Sequence, residues 1–190
     1  MTGIEREYTF LVNELPGNLG DFPSIIVSDS YVPASEEHPI LRIRRRGDKC
    51  EITKKYPADS KDGGISGDSS RQVEHTIPLL GAEYDVLDAC EGKRLKKRRF
   101  FYEADGVKSD IDVFLGDLIG LATADFEFES EEEMLVFEAP SFVGADVSQE
   151  LMIAGGILCG KSYVDIGGVL KEKYGYEPVI GAEKYEEEKL

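Results

Sequence analysis

The chain has no tryptophan, and only three methionines, two histidines and three cysteines among its 190 residues. Cys50, Cys90 and Cys159 are far apart and odd in number. They match neither a zinc spacing nor a disulfide framework, and they suit a reducing cytoplasm. His38 and His75 have no partner nearby in sequence, so a structural or surface role is expected for both. No apolar run approaches the ~20 residues needed to cross a bilayer. No basic start followed by an apolar stretch marks a secretory signal, so no membrane partner is expected and a cytoplasmic location is. Positive charge is also scarce: 22 Lys and Arg stand against 38 Asp and Glu, for a net charge of -16. That balance excludes nucleic acid as a general partner. The hydrophobic share of 41% is ordinary and excludes a disordered chain.

The few cations are not spread evenly. Thirteen of the 22 lie in two stretches, "LRIRRRGDKCEITKK" at 41–55 and "KRLKKRR" at 93–99. An acidic protein that gathers its cations in this way has a compact anion as its natural ligand.

Most of the chain reads as strands, at 3–12, 25–33, 40–47, 49–56, 71–78, 94–104, 107–114 and 121–129. Gly47-Asp48 predicts a hairpin over 40–56, and "ADGVK" at 104–108 predicts a second turn. "PLLGAEYDVLDAC" reads as a helix, and "SEEEMLVFE" as another capped by Ser130. "DVSQELMIAGGILCG" and "SYVDIGGVLKEKYG" read as a C-terminal helix pair weakened by paired glycines. The Gly/Ser/Asp-rich stretch 57–70 reads as a mobile loop, and the charged end "EKYEEEKL" as a frayed tail.

The two-residue period of a strand sorts these charges by face. Glu5, Glu7 and Thr9 share one face, against Ile4, Arg6, Tyr8 and Phe10. Arg42 aligns with Arg44, Lys97 with Arg99, Asp110 with Asp112, and Asp125 with Glu127. A plain antiparallel sheet with one wet side accounts for the alternation. It accounts less well for whole strands being cationic or anionic. If the sheet closes into a barrel, the polar faces line its interior, with basic walls for phosphates and acidic walls for a divalent metal.

These motifs, in this order, resemble the CYTH domains or triphosphate tunnel metalloenzymes: Glu5-x-Glu7, "LRIR", "ITKK", Glu74, "KRRF", "DIDVF" and "ADFEFESEEE". The resemblance runs from residue 3 to residue 166, because "PSFVGADVSQE" and "GKSYVDI" are also similar to that family's C-terminal segment. It implies a β-dominated α+β fold: an eight-stranded antiparallel closed tunnel barrel with flanking helices. One domain over 1–180 with a charged tail at 181–190 follows.

The resemblance also assigns roles. Arg42, Arg44, Lys97 and Arg99 would bind a triphosphate, joined by Lys54 or Lys55, and by Lys161. Lys55 shares the face of Thr53, whereas Lys54 would need a local bulge. Glu74 would hold a basic residue in place within the substrate site. Glu5, Glu7, Asp112, Asp125 and Glu127 would coordinate Mg²⁺ or Mn²⁺ or position the attacking water, and Tyr31 would lie near the reacting group. One departure stands out: the family's ExExK motif carries Thr9 where lysine is usual. The implied activity is a Mg²⁺-dependent phosphohydrolase acting on tripolyphosphate or a triphosphate-bearing metabolite. A class IV adenylate cyclase and a non-catalytic polyphosphate or nucleotide binding module stay open, as does a homodimer. Removal of one arginine, Arg44, is expected to weaken triphosphate binding while relieving repulsion and leaving the fold intact.

Overall fold

The computed structural model describes residues 6–37, 39–57, 72–104 and 106–186. Glu5, His38 and nearly all of the Gly/Ser/Asp-rich stretch lie outside these residues. The described chain forms two compact units, one built on Val27–Leu95 with Met152–Gly160, the other on residues 6–26, 96–151 and 161–186.

The first unit is an antiparallel meander of β2 (Ser24–Val32), β3 (Leu41–Arg46), β4 (Lys49–Pro57) and β5 (Gln72–Leu79), the first residues of β2 belonging to the other unit. Gly47 allows the tight turn between β3 and β4, because its φ of 56° lies in the left-handed region. Helix α1 (Gly81–Asp88) starts where the Leu80 N–H donates to the Glu83 carboxylate at 2.7 Å, satisfying one of the otherwise unpaired groups at a helix start. Its Tyr84 and Leu87 pack on Ile43, Ile52, Cys50 and Leu79, which form the apolar face of the meander. The short helix α3 (Gly155–Leu158) also belongs to this unit.

The second unit orders its strands β6-β7-β8-β1-β9: β6 (Lys93–Ala104, its first residues belonging to the other unit), β7 (Val107–Phe114), β8 (Ala122–Glu127), β1 (Glu7–Val12) and β9 (Val143–Asp146). Its pairings are antiparallel too. One face is apolar, with Phe100, Ile111, Val113, Ala124 and Phe126 all buried. Near β1, Phe10, Phe126 and Phe137 stack with Tyr8 and Phe128, at centroid separations of 4.8 Å for Phe126–Phe137 and 5.2 Å for Tyr8–Phe128. Helix α2 (Glu131–Leu135) begins at Ser130, whose hydroxyl accepts from the Glu133 N–H at 3.2 Å. Helix α4 (Tyr163–Tyr174) starts at Ser162, whose N–H donates to Asp165 at 2.7 Å, and ends at Gly175 in the left-handed region.

The β-dominated α+β class and the antiparallel pairing are as expected. The strand pairings form open runs among the described residues, so the closed ring is not among them. Two further expectations change. The stretch read as a helix from Asp146 onward is the end of β9, a 3-10 turn at Leu151–Ile153 and the four-residue α3. Pairing with β1, Val12 to Val143 and Phe10 to Asp146, outweighs the weak helical period there. Part of the expected tail is packed: Tyr185 is 8% exposed, stacks on Phe100 at 4.7 Å, and accepts at its carbonyl from Arg98 Nε at 2.8 Å.

Candidate functional site

In the first unit, strand register assembles a basic face. Residues directly opposite one another in an antiparallel pair project to the same side. Asp29 lies opposite Arg44 and Tyr31 opposite Arg42. Arg42 lies opposite Thr53, Arg44 opposite Glu51, and Lys55 opposite Glu74. Lys55 therefore shares the face of the two arginines, 3.8 Å from the Glu74 carboxylate. Lys54 faces the other way, opposite His75 and 5.8 Å from the Tyr56 ring, so of the two lysines only Lys55 lies on the face of Arg42 and Arg44.

The two arginines are held differently. Arg44 donates from Nε and Nη2 to the two Asp29 oxygens at 2.6 and 2.7 Å. Arg42 stands 3.9 Å from Glu51, and its buried Nε has no hydrogen-bond partner among the described residues. A buried charged donor without an acceptor is costly, and an anionic oxygen would satisfy it. Burial pushes the Tyr31 phenol up to about 12, aided by the Asp29 charge and opposed by Arg42 and Arg44. At neutral pH it is a hydrogen-bonding phenol and not a phenolate base. Gly155 lies against it: a Cβ at that position would fall well inside contact with the Tyr31 hydroxyl.

In the second unit the polar face of the sheet is mostly acidic. Glu7 lies opposite Glu127 and Thr9 opposite Asp125, while Asp110 lies opposite Asp125 and Arg99 opposite Asp112. Arg99 ties three carboxylates together. Its Nε and Nη2 reach Asp112 at 2.8 and 2.7 Å, Nη1 reaches Asp110 at 2.8 Å, and Nη2 also reaches Asp125 at 2.8 Å. Lys97 donates to Asp112 as well. Burial alone would push the Asp112 carboxyl up, but Lys97 and Arg99 more than offset it and hold it below the usual carboxylate range. Asp125 goes the other way, raised by burial and by the Asp112 charge. The Thr9 hydroxyl donates to Asp125 at 3.0 Å, and the Thr9 N–H donates to Ser148 Oγ at 2.9 Å.

The donor set suits a hard divalent cation, since all its ligating atoms are carboxylate oxygens. No cluster of three or more such side chains is already converged on a point among the described residues. Asp112 is 0% exposed, and both its oxygens accept hydrogen bonds from Arg99, with Lys97 donating to it as well. Asp125 keeps acceptor capacity on each oxygen beyond its bonds to Thr9 and Arg99. Glu7 and Glu127, directly opposed and exposed, repel one another, and a cation between them would remove that cost. Glu5 lies outside the described residues. Lys161 is exposed just ahead of α4, with its charge near Asp165, and is not on either sheet face.

Sequence reasoning missed Asp29, Thr9 as a donor, Asp110 as a partner of Arg99, Ser148 and Gly155. The parity of Asp29 with Tyr31 in "SDSY" was a usable signal for the first. The Thr9–Ser148 bond joins residues 139 positions apart and left no signal.

No family model matches the chain. The inorganic triphosphatase of Nitrosomonas europaea is 31% identical over 152 residues, which cover 79% of this chain and 91% of that protein. The inorganic triphosphatase of Acetivibrio thermocellus is 31% identical over 109 residues, 57% of this chain and 64% of that protein. The crystal structure of the inorganic triphosphatase NE1496 is similar with a TM-score of 0.59 at 25% identity, over 82% of this chain and 93% of that one. On the sequence relationship, supported by the strand motifs and the shared fold, this chain belongs to the inorganic triphosphatase family of the CYTH, or triphosphate tunnel, superfamily.

Proposed function

We propose that this protein is a divalent-metal-dependent phosphohydrolase that cleaves tripolyphosphate or a triphosphate-bearing metabolite. The observation that carries this reading is Arg42, whose buried Nε has no acceptor among the described residues, on the basic face of a chain related to inorganic triphosphatases.

Arg42, Arg44 and Lys55 bind phosphate oxygens, the arginines through planar forks that match the geometry of a phosphate. Lys161 adds a further cation. Lys97 and Arg99 hold Asp112 and Asp125 in place and lend positive charge to the substrate. Glu7, Glu127 and Asp125, with Glu5, would hold Mg²⁺ or Mn²⁺. The bound ion would neutralise charge on the phosphates and favour attack on phosphorus. Glu5 and Glu7 position the attacking water. Tyr31, kept protonated by burial, donates a hydrogen bond near the reacting group. Water adds to phosphorus as the bond to the bridging oxygen breaks, and the chain contributes positioning and charge stabilisation. The closed eight-stranded tunnel and a cytoplasmic location belong to the proposal as well.

Purified protein supplied with tripolyphosphate or ATP and Mg²⁺ or Mn²⁺ tests it, with phosphate and cyclic AMP as readouts. Phosphate release that stops on chelation is expected. Cyclic AMP with pyrophosphate would identify a cyclase, and tight binding without turnover a binding module; either overturns the reading.

A further inference from the structure

The geometry points to Asp29 as a positioning residue for triphosphate recognition, acting through Arg44. The inference rests on the proposed function, in which Arg44 binds a phosphate.

Asp29 sits in the middle of β2, directly opposite Arg44 of β3. Its carboxylate is only 3% exposed, a location a charge occupies only when it is paired. The pairing is bidentate, at 2.6 Å from Nε and 2.7 Å from Nη2. Two parallel bonds fix both the plane of a guanidinium and its rotation within that plane, which a single contact does not. The rest of the fork then points away from Asp29 in a direction set by the group's own planarity.

Arg42 provides an internal contrast. It lies two residues earlier on the same strand and face, yet its carboxylate neighbour Glu51 is 3.9 Å away. Arg44 is therefore clamped by two parallel bonds before any ligand arrives, whereas Arg42 has a longer ion pair with Glu51 and a side-chain hydrogen bond with Tyr31. Phosphate recognition by a fork depends on orientation, and pre-setting it spares the ordering of a long side chain on binding. Asp29 thus supplies affinity without touching the substrate.

The test uses the full chain and four variants: Asp29→Asn, Asp29→Glu, Arg44→Lys, and Asp29→Asn combined with Arg44→Lys. Tripolyphosphate Kd is read by calorimetry without metal, kcat and KM by phosphate release with Mg²⁺, and stability by thermal melts. Asparagine keeps the size but turns one acceptor into a donor facing Nη2. Glutamate keeps the charge but shifts the carboxylate by one methylene, so it separates positioning from charge burial. Both Asp29 variants are expected to raise Kd and KM about tenfold to a hundredfold, the scale of one charge-assisted bond, with kcat much less affected. The double variant is expected to bind no worse than Arg44→Lys alone, because both act on one contact. Lower melting temperatures with unchanged Kd and KM would reduce Asp29 to a structural role and overturn the inference. An additive double variant would also overturn it. Arg44→Lys without effect on Kd would remove the premise and the inference together. A wild-type protein that binds but does not turn over would defeat the hydrolase reading alone, since the Kd series still decides Asp29. If Asp29→Asn does not fold, Asp29→Glu decides by the same criteria.

Discussion

Arg44 shows how a single contact changes the consequence of a substitution. Seen as one cation in a crowded basic strand, it looked removable, with relief of repulsion. The bidentate pair with buried Asp29 reverses that expectation. Arg44→Ala leaves a carboxylate buried without its counter-ion, a loss of about 3–5 kcal/mol of stability for pairs of this kind. Denaturant titration checks this, and calorimetry is expected to show a further loss of about 1.5–3 kcal/mol in tripolyphosphate binding. Glu7→Gln is expected to act differently. It keeps the size of the side chain and removes the charge, so metal-dependent turnover should vanish while metal-free triphosphate binding stays near wild type. Identical responses to Mg²⁺ in the two proteins would make Glu7 a plain surface charge. At this scale the sequence was legible wherever facing follows from the two-residue period: Arg42 with Arg44, Lys97 with Arg99, Asp125 with Glu127. It was illegible wherever a partner depends on register between strands, as for Asp29 with Arg44, or on a distant turn, as for Thr9 with Ser148.

Elements with strong local signals form where those signals lie. The Ser130 cap starts α2, Ser162 and Asp165 start α4, and Gly47 turns β3 into β4. Ser130→Ala is expected to cost about 1 kcal/mol, the usual value of a lost N-cap, and to show as fraying of α2 in hydrogen exchange. The segment around β9 and α3 lacked such signals. Its glycines read as defects in a helix, whereas Gly155 is small because Tyr31 needs the room. Gly155→Ala is therefore expected to displace either α3 or the Tyr31 ring. The measurable result is a lowered melting temperature with a changed Tyr31 environment, and the more spacious Tyr31→Phe background should restore most of the stability. If Gly155→Ala melts like wild type, the close approach is not tight in solution.

Over the whole molecule, the surplus of 16 negative charges governs the response to pH and ions. Asp112 is held below the usual carboxylate range, so the folded state binds its proton less readily than the unfolded chain. Its contribution to stability is present above about pH 4 and is lost as the pH falls through its native value. Asp125 has the opposite sign: its native carboxyl is raised, and ionising it burdens the fold as the pH rises through that value. Melts in chelator across acid pH should therefore lose stability on the Asp112 account, and Asp112→Asn should flatten that limb. Mg²⁺ and tripolyphosphate together should raise the melting temperature more than the effects of either alone would suggest, because each ion cancels charge that opposes the other. A response equal to the sum of the separate ones would argue for independent sites.

The contact between Gly155 and Tyr31 also reaches beyond any single protein. Position 155 has no room for a side chain while the phenol stands where it does. A lineage that kept the tyrosine would keep the glycine with it, and one that replaced the glycine would first have to trim the ring or move α3. The two positions, 124 residues apart in the chain, are thus expected to be inherited as a pair. Among related sequences they should change together or not at all, whatever happens to the residues between them.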